Sequence, residues 1–189
     1  VEMLARRAGA AIEIARLNEL EARERAGLFL LAETTRALDG SLSIEAILAA
    51  AERIARLSIP AFADYCALLF TDGEQGQRSA SAHHDPSWQE PLAGLLAAFV
   101  PGSDDPTDVL AHVLRTLTPV LLTDIVHGPP APPLLAPFQE IPTASFMAIP
   151  LVARDRAIGL IAFGYSDSER RYEAHDVLLA EAVAMRLAM

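Results

Sequence analysis

The sequence predicts an α+β domain built on an antiparallel sheet and preceded by a long helix. Three features carry this expectation. The hydrophobic patterns run helix, helix, two strands, helices, strand, loop, two strands, helix. Strands that come in neighbouring pairs across short turn clusters read as hairpins, whereas a parallel sheet would alternate them with helices. The chain is 52% apolar over 189 residues, enough to bury a full core.

Residues 1 to about 38 contain no proline and only two glycines, and they are rich in Ala, Leu, Glu and Arg, the strongest helix formers. Leu4, Ala8, Ala11, Ala15, Asn18 and Ala22 step alternately by four and three, a heptad seam of small residues with one Asn to set register. A second stripe, Leu28, Leu31, Thr35 and Leu38, follows in a register shifted near Arg25 to Gly27. The two segments are expected to run on as one helix, with Glu19, Glu21, Arg23, Glu24 and Arg25 outward, until Asp39-Gly40-Ser41 stops it. A second helix is expected from Ser43 as N-cap, with Ile44, Ile47, Leu48, Ala51, Ile54, Ala55 and Leu57 on one face and Pro60 as its end.

From Ala63 the period changes. Tyr65 to Phe70 is a short, nearly all-apolar run, Asp72 to Gly76 is a turn cluster, and Arg78 to His83 is small and polar. This reads as a hairpin with a buried first strand and a more exposed second. Trp88, Leu92, Leu95, Leu96 and Phe99 return to helical spacing. Asp105-Pro106-Thr107-Asp108 reads as a helix start, with Asp105 as N-cap, Pro106 at the first helical position and Asp108 in the first turn, leading into Val109, Leu110, Val113, Leu114 and Leu117. Pro119 to Thr123 is a short strand, and residues 127 to 142, with six prolines, form an irregular loop that encloses a helical turn near Leu134 to Glu140. Ser145 to Val152 and Ala157 to Tyr165 are the clearest strands, joined tightly through Arg154 and Asp155. Gly159 and Gly164 mark a bulge or a close backbone approach. Ala174 to Met189 is a closing helix.

Composition narrows the function classes. The net charge is −10, and all fifteen basic residues are arginine. Such a chain lacks the basic footprint of a duplex-DNA binder or an anionic-membrane binder. Its longest apolar run, Leu92 to Pro101, is about half the ~20 residues that span a bilayer. Charged residues interrupt the first stretch, so it does not read as a signal peptide. Val1 in place of Met suggests a module taken from a longer protein. The lone Cys66 excludes an internal disulfide and fits a reducing, cytoplasmic compartment. No Gly-rich phosphate loop or G-x-S-x-G elbow is present, so no catalytic residue is assigned. Capping accounts for two of Asp104, Asp105 and Asp108. His83 and His84 are neighbours, expected on opposite faces of a strand, while His112, His127 and His175 are scattered, so no metal site is assigned. Arg170 and Arg171 read as a solvated loop before an anion site.

Several segments together resemble one family. Ala61-Phe62-Ala63-Asp64-Tyr65-Cys66-Ala67 followed by an Asp-Gly turn is similar to the first strand of a GAF domain. Phe146-Met147-Ala148-Ile149-Pro150-Leu151-Val152-Ala153-Arg154, then Ile158-Gly159-Leu160-Ile161-Ala162-Phe163, then Arg170-Arg171-Tyr172 and Asp176 at the last helix continue the resemblance in order. Ala10 to Leu17 resembles the helix that leaves a sensory module in bacterial signalling proteins, and Glu181, Ala184 and Arg186 repeat Glu2, Ala5 and Arg7 at a constant offset. The resemblance implies a GAF domain over 25–189, with 1–24 as a signalling-helix linker from a preceding module.

The resemblance further implies a five- or six-stranded antiparallel sheet. The first, second and last helices would layer one face, and short helices and loops would cover a small-molecule pocket on the other. Pocket candidates are His83, Trp88, His112, Arg115, Thr123, Phe138, Ser145 and Met147, since such sites mix apolar walls with a few polar groups. It implies a non-catalytic sensory or regulatory module that binds a small molecule, or relays a conformational signal to an output domain in the same chain, such as a histidine kinase or phosphatase. A homodimer through the terminal helices, along Leu4, Ala8, Ala11, Ala15, Asn18 and Ala22, is expected, because a helix of about 57 Å outreaches one small domain. A ligand-free dimerisation spacer is the alternative. The absence of lysine breaks the Asn-Lys-Phe-Asp-Glu signature of cyclic-nucleotide binders. Cys66 lies inside a strand, which disfavours a bilin thioether, and isolated histidines give haem little support, so no cofactor is assigned.

Overall fold

The computed structural model describes residues 2–38, 44–59, 61–71, 76–100, 102–126, 138, 140–166 and 170–189. Its elements are α1 (Glu2–Leu38), α2 (Ile44–Leu57), β1 (Tyr65–Thr71), β2 (Gln77–His83), a short 3-10 turn (Pro86–Trp88), α3 (Gln89–Ala98), α4 (Val109–Thr116), β3 (Val120–Leu122), β4 (Ser145–Ala153), β5 (Arg156–Tyr165) and α5 (Ala174–Leu187). The five strands form one antiparallel sheet in the order β2-β1-β5-β4-β3. The expected caps at Ser43 and Gly40, Pro60, the turn over 72–75 and the helical turn near Leu134 fall on or among residues outside the described set.

Side chains alternate across a strand, and here both faces are covered. Cys66, Leu68, Met147, Ile149, Ile161 and Phe163 face a core shared with α1, α2 and α5. Tyr65, Ala67, Leu69, Phe146, Ala148 and Leu160 face a second core shared with α3 and α4. A strand buried on both faces reads as a continuous apolar run, which is why Tyr65 to Phe70 shows no alternation in sequence. The α+β expectation and the division of helices between the two faces both hold.

Local chemistry differs from the sequence reading at three places. The helix expected at Asp105 starts later: Asp108 is the N-cap of α4, its Oδ1 accepting from Leu110 N–H (2.9 Å) and Ala111 N–H (3.2 Å). Asp105 instead folds a turn, accepting from the Thr107 N–H (2.8 Å) and hydroxyl (2.7 Å). Arg170 and Arg171 are not a solvated pair. Arg170 donates to Asp64 Oδ1 at 2.7 Å and lies 4.4 Å over the Tyr165 ring, and Arg171 stands 3.7 Å from Asp124. The stripe of α1 that meets the domain is Gly27, Leu30 and Thr34 with Ala26 and Leu31 beside it, whereas Leu28 is 58% exposed.

The two strand glycines act through close approach. Gly159 faces Phe70 and Gly164 faces Tyr65 across the β1–β5 pair. A Cβ at Gly159 would fall on the Leu69 carbonyl, and one at Gly164 on the Tyr65 ring. The register also slips beside Gly159, between Leu151 and Val152, which is a bulge of the kind that bends a strand. At the β4–β5 turn, Arg154 and Asp155 take left-handed φ of 52° and 61°, the geometry of the tight hairpin turn whose twist matches its strands.

Gly159→Ala and Gly164→Ala are each expected to cost about 2–3 kcal/mol, because backbone or a packed ring would have to move. Gly94→Ala, where a Cβ meets nothing within 4 Å, is expected to stabilise α3 by up to about 1 kcal/mol. Thermal unfolding followed by circular dichroism checks the opposite signs.

Candidate functional site

The eight sequence-derived pocket residues do not converge. Met147 is buried on the face of α1, α2 and α5, opposite α3 and α4. Ser145 is buried and committed to structure, donating to Leu122 O (3.1 Å) and accepting from Tyr172 N–H (3.0 Å). Phe138 is buried against Tyr65 and Phe146, with ring centroids 6.3 Å and 4.9 Å away. Thr123 is exposed past the end of β3, and Trp88 and His112 are half-buried on the 3-10 turn and α4. Arg115 is exposed on α4, 3.9 Å from Asp104, and lines an open cavity of about 720 Å³ that also holds Arg156. His83 lines a separate cavity of about 330 Å³ with Arg56 and Gln89.

The sheet face beneath α3 and α4 is filled rather than hollow. Tyr65 stacks on Phe138, and its hydroxyl lies 3.0 Å from Thr143 Oγ1. Leu92, Leu96, Leu110 and Val113 close over these rings. Burial raises the Tyr65 phenol well above its ordinary range, and it stays a neutral hydrogen-bonding group. The open volume lies further out, where Leu95, Ala98, Phe99 and Val100 face Leu110 and Ile141 across about 560 Å³. Sequence reasoning missed these residues. Its available signal was Gly94 inside an otherwise regular helical pattern, since such a glycine usually has a packing or functional reason.

A polar network fastens the end of the sheet beside His83. Asp64 Oδ2 accepts from Ser166 N–H (2.9 Å) while Oδ1 takes Arg170. His83 Nδ1 accepts from Asp85 N–H at 3.0 Å, and its Nε2 is 3.4 Å from Ser166 Oγ. The His83 ring is stacked between Tyr65, at 5.6 Å, and His84, at 5.1 Å. The two histidines therefore lie side by side, not on opposite faces, because β2 ends at His83 and the alternation ends with it. Gln89 ties the turn down, accepting from His83 N–H (3.0 Å) and donating to Ser81 O (3.1 Å). Cys66 is fully buried, and burial pushes its thiol up to about 12; a thiol held neutral is a poor nucleophile. Among the described residues, no cluster of His, Cys, Asp and Glu could hold a metal.

The terminal helices form the other notable surface. Of the seam on α1, Ala11, Ala15, Asn18 and Ala22 are exposed, and the side chains of Leu4 and Ala8 fall outside the described residues. The same steps of three and four continue to Arg25, Phe29 (53% exposed) and Ala32. At 100° per residue, this line runs opposite Gly27, Leu30 and Thr34, which pack on the domain. On α5, Leu178 (67% exposed) and Met185 (68%) also point away from the core residues Ala180, Val183 and Leu187.

His83 sits below its ordinary value of 6.5, first because burial disfavours its charged form and next because His84 lies beside it. The unfolded chain then binds the proton more readily, so the stability this group contributes is full above pH 6.5 and declines as pH falls below it. A falling urea midpoint from about pH 7.5 to 5.5 is expected, with a shallower fall in His83→Asn, whose Oδ1 stands where Nδ1 does and can still accept from Asp85 N–H.

Comparison with known proteins agrees with the fold. The family model described as "GAF domain" matches residues 41–189. The chain is similar to the GAF domain from a phosphoenolpyruvate-protein phosphotransferase (ptsP) of Coxiella burnetii, at 18% identity and a TM-score of 0.61, covering 87% of this chain and 91% of that one. It is similar to the A. aeolicus nlh2 GAF domain in an inactive state, at 12% identity and a TM-score of 0.59, covering 88% and 95%. It is also similar to fRMsr of Staphylococcus aureus in complex with substrate, at 12% identity and a TM-score of 0.58, covering 86% and 93%. No curated protein shows significant similarity. At such identities the structures speak for the fold alone, and the family model, which spans more than half of the sequence, carries the assignment: the chain belongs to the GAF domain family.

Proposed function

We propose that this is a non-catalytic regulatory GAF module that relays a small-molecule signal through its terminal helices to an output domain of the same chain, such as a histidine kinase in the cytoplasm. In this reading residues 1–24 are the incoming signalling helix, 25–189 are the sensing domain, and the module works as a homodimer. The observation that carries it is the two-sided character of α1. One side packs on α2 and α5 through Gly27, Leu30 and Thr34, while the opposite side presents a heptad line from Ala11 to Ala32. A helix held by its domain on one side and by a partner on the other transmits any change in seating, and a ligand acts by favouring one seating over another. GAF domains are generally regulatory, and the line Ala11–Ala15–Asn18–Ala22 suits close helix approach with Asn18 fixing register. Cys66, buried and neutral, offers no thiolate for redox catalysis of the several-cysteine kind.

A second reading has its own support. The filled sheet face, with Tyr65, Phe138 and Phe146 in contact, favours a ligand-free dimerisation spacer. Hydrogen exchange separates the two: a sensing module changes protection of α1 and α5 when a ligand binds, and a spacer does not.

The dimer is open to sedimentation. The wild-type chain is expected to run as a dimer at about 50 μM, and Ala15→Glu with Ala22→Glu to weaken association by about a hundredfold or more, since buried unpaired charges are costly. The domain's own unfolding midpoint should stay within about 0.5 kcal/mol, because both positions are exposed. A monomeric wild type would count against the relay.

A further inference from the structure

The outer cavity has a chemical character that narrows its occupant. Its volume of about 560 Å³ lies within the usual range for small-molecule sites. Its walls are apolar, from Leu95, Ala98, Phe99, Val100, Leu110 and Ile141, and Val100 is 64% exposed at present. The ionisable groups on the described part of its lining are both carboxylates, Asp108 and Glu140, with Ser103 as a neutral polar neighbour. Residues 127–139, next to it in sequence, contain no arginine. The capping bonds to Leu110 and Ala111 use Asp108 Oδ1, so the carboxylate is held at the wall with a second oxygen able to accept. Arg115 lines the adjoining cavity, pairs with Asp104 and donates to the carbonyl of Ser103 (3.4 Å), a residue both cavities share.

We propose that this cavity binds a cationic amphiphile, an apolar body carrying a protonated amine, with the body against α3 and the ammonium between Asp108 and Glu140. This rests on the reading of the domain as a ligand-sensing module and supplies the ligand class. The apolar wall gives a non-directional gain on burial, and the carboxylates supply charge-assisted hydrogen bonds to N–H donors. The same carboxylates disfavour phosphate-bearing and carboxylate-bearing ligands, because the Arg115 guanidinium beside Ser103 is already paired with Asp104. Anionic ligands are therefore expected to bind here more weakly than cationic ones of the same apolar body.

The test uses the full chain and a neutral fluorescent probe, N-phenyl-1-naphthylamine, displaced by dodecylamine, dodecanol or dodecanoate below their micelle concentrations. Dodecylamine is expected to displace the probe at about tenfold lower concentration than dodecanol, with dodecanoate weakest. A chain of net charge −10 attracts amines generally, so Gly94→Leu decides where they bind. A Cβ at Gly94 meets nothing within 4 Å, so leucine there grows into the cavity and also strengthens α3. It should cut probe and amine binding at least about tenfold with the far-ultraviolet spectrum unchanged. Asp108→Asn, which can still cap, combined with Glu140→Gln should bring the amine down to the alcohol's level. Equal displacement by all three competitors, or amine binding untouched by Gly94→Leu in a folded protein, overturns the proposal. Gly94-dependent amine binding that leaves hydrogen exchange in α1 and α5 unchanged supports the cavity and overturns the relay. A wild-type chain that dimerises but shows no amine preference overturns the cavity assignment and spares the relay.

Discussion

The requirement that β1, β4 and β5 be covered on both faces governs the rest of the domain. Their side chains alternate between two separate cores, with Cys66, Leu68, Met147 and Phe163 on one side and Tyr65, Ala67, Phe146 and Leu160 on the other. Exposing either face would leave a large apolar surface in water, at roughly 25 cal/mol per Å². One layer of helices cannot serve both faces, so the chain divides them: α2 and α5 lie over one side with α1, and α3 and α4 over the other. Gly159 and Gly164 belong to the same constraint. They let β1 and β5 close on each other where a carbonyl and an aromatic ring already occupy the space.

The two layers have unequal tasks. The α1–α2–α5 layer is closely knit: Glu33, nearly buried on α1, pairs with Arg36 and with Arg53 of α2, and Glu173 and Asp176 close a reciprocal cap at the start of α5. The α3–α4 layer rests on shorter helices joined by turns, and the open volume lies there. Polar groups fasten the sheet end, with Asp64 bound to Arg170 and to Ser166 N–H across long sequence separations and His83 accepting locally from Asp85 N–H. A ligand entering one layer and a readout leaving by the other share the sheet, whose strands pack on both.

Much of the fold was legible because its signals are local and periodic. The helical run to Leu38, the two hairpins and the apolar run of β1 each announce themselves within ten or so residues. The errors share a cause as well. Asp105 and Asp108 both have capping chemistry, and only the packing of Leu110 and Ala111 decides which one is used. Arg170 looks like a loop charge until Asp64, 106 positions away, comes to meet it. His83 and His84 were separated by a strand rule that ceases to apply one residue too early. The candidate pocket fared worst for the same reason: which of Phe138, Ser145 or Met147 fills space, and which lines it, depends on contacts between elements far apart in sequence. Gly94 was visible, but a helical glycine does not say what stands opposite it.

Gly27 brings the two terminal helices together: a Cβ there would lie 2.6 Å from Leu179 Cδ1 on α5. The missing side chain that permits this contact also removes the side-chain stiffening a helix interior normally has, at about 1 kcal/mol relative to alanine. A contact point between the terminal helices is thus also a locally pliable position of the long helix. Mechanically this resembles a lever gripped at its fulcrum. The arm before Gly27 can tilt about the α5 contact with little distortion of the arm after it, because glycine leaves the helix soft at that point.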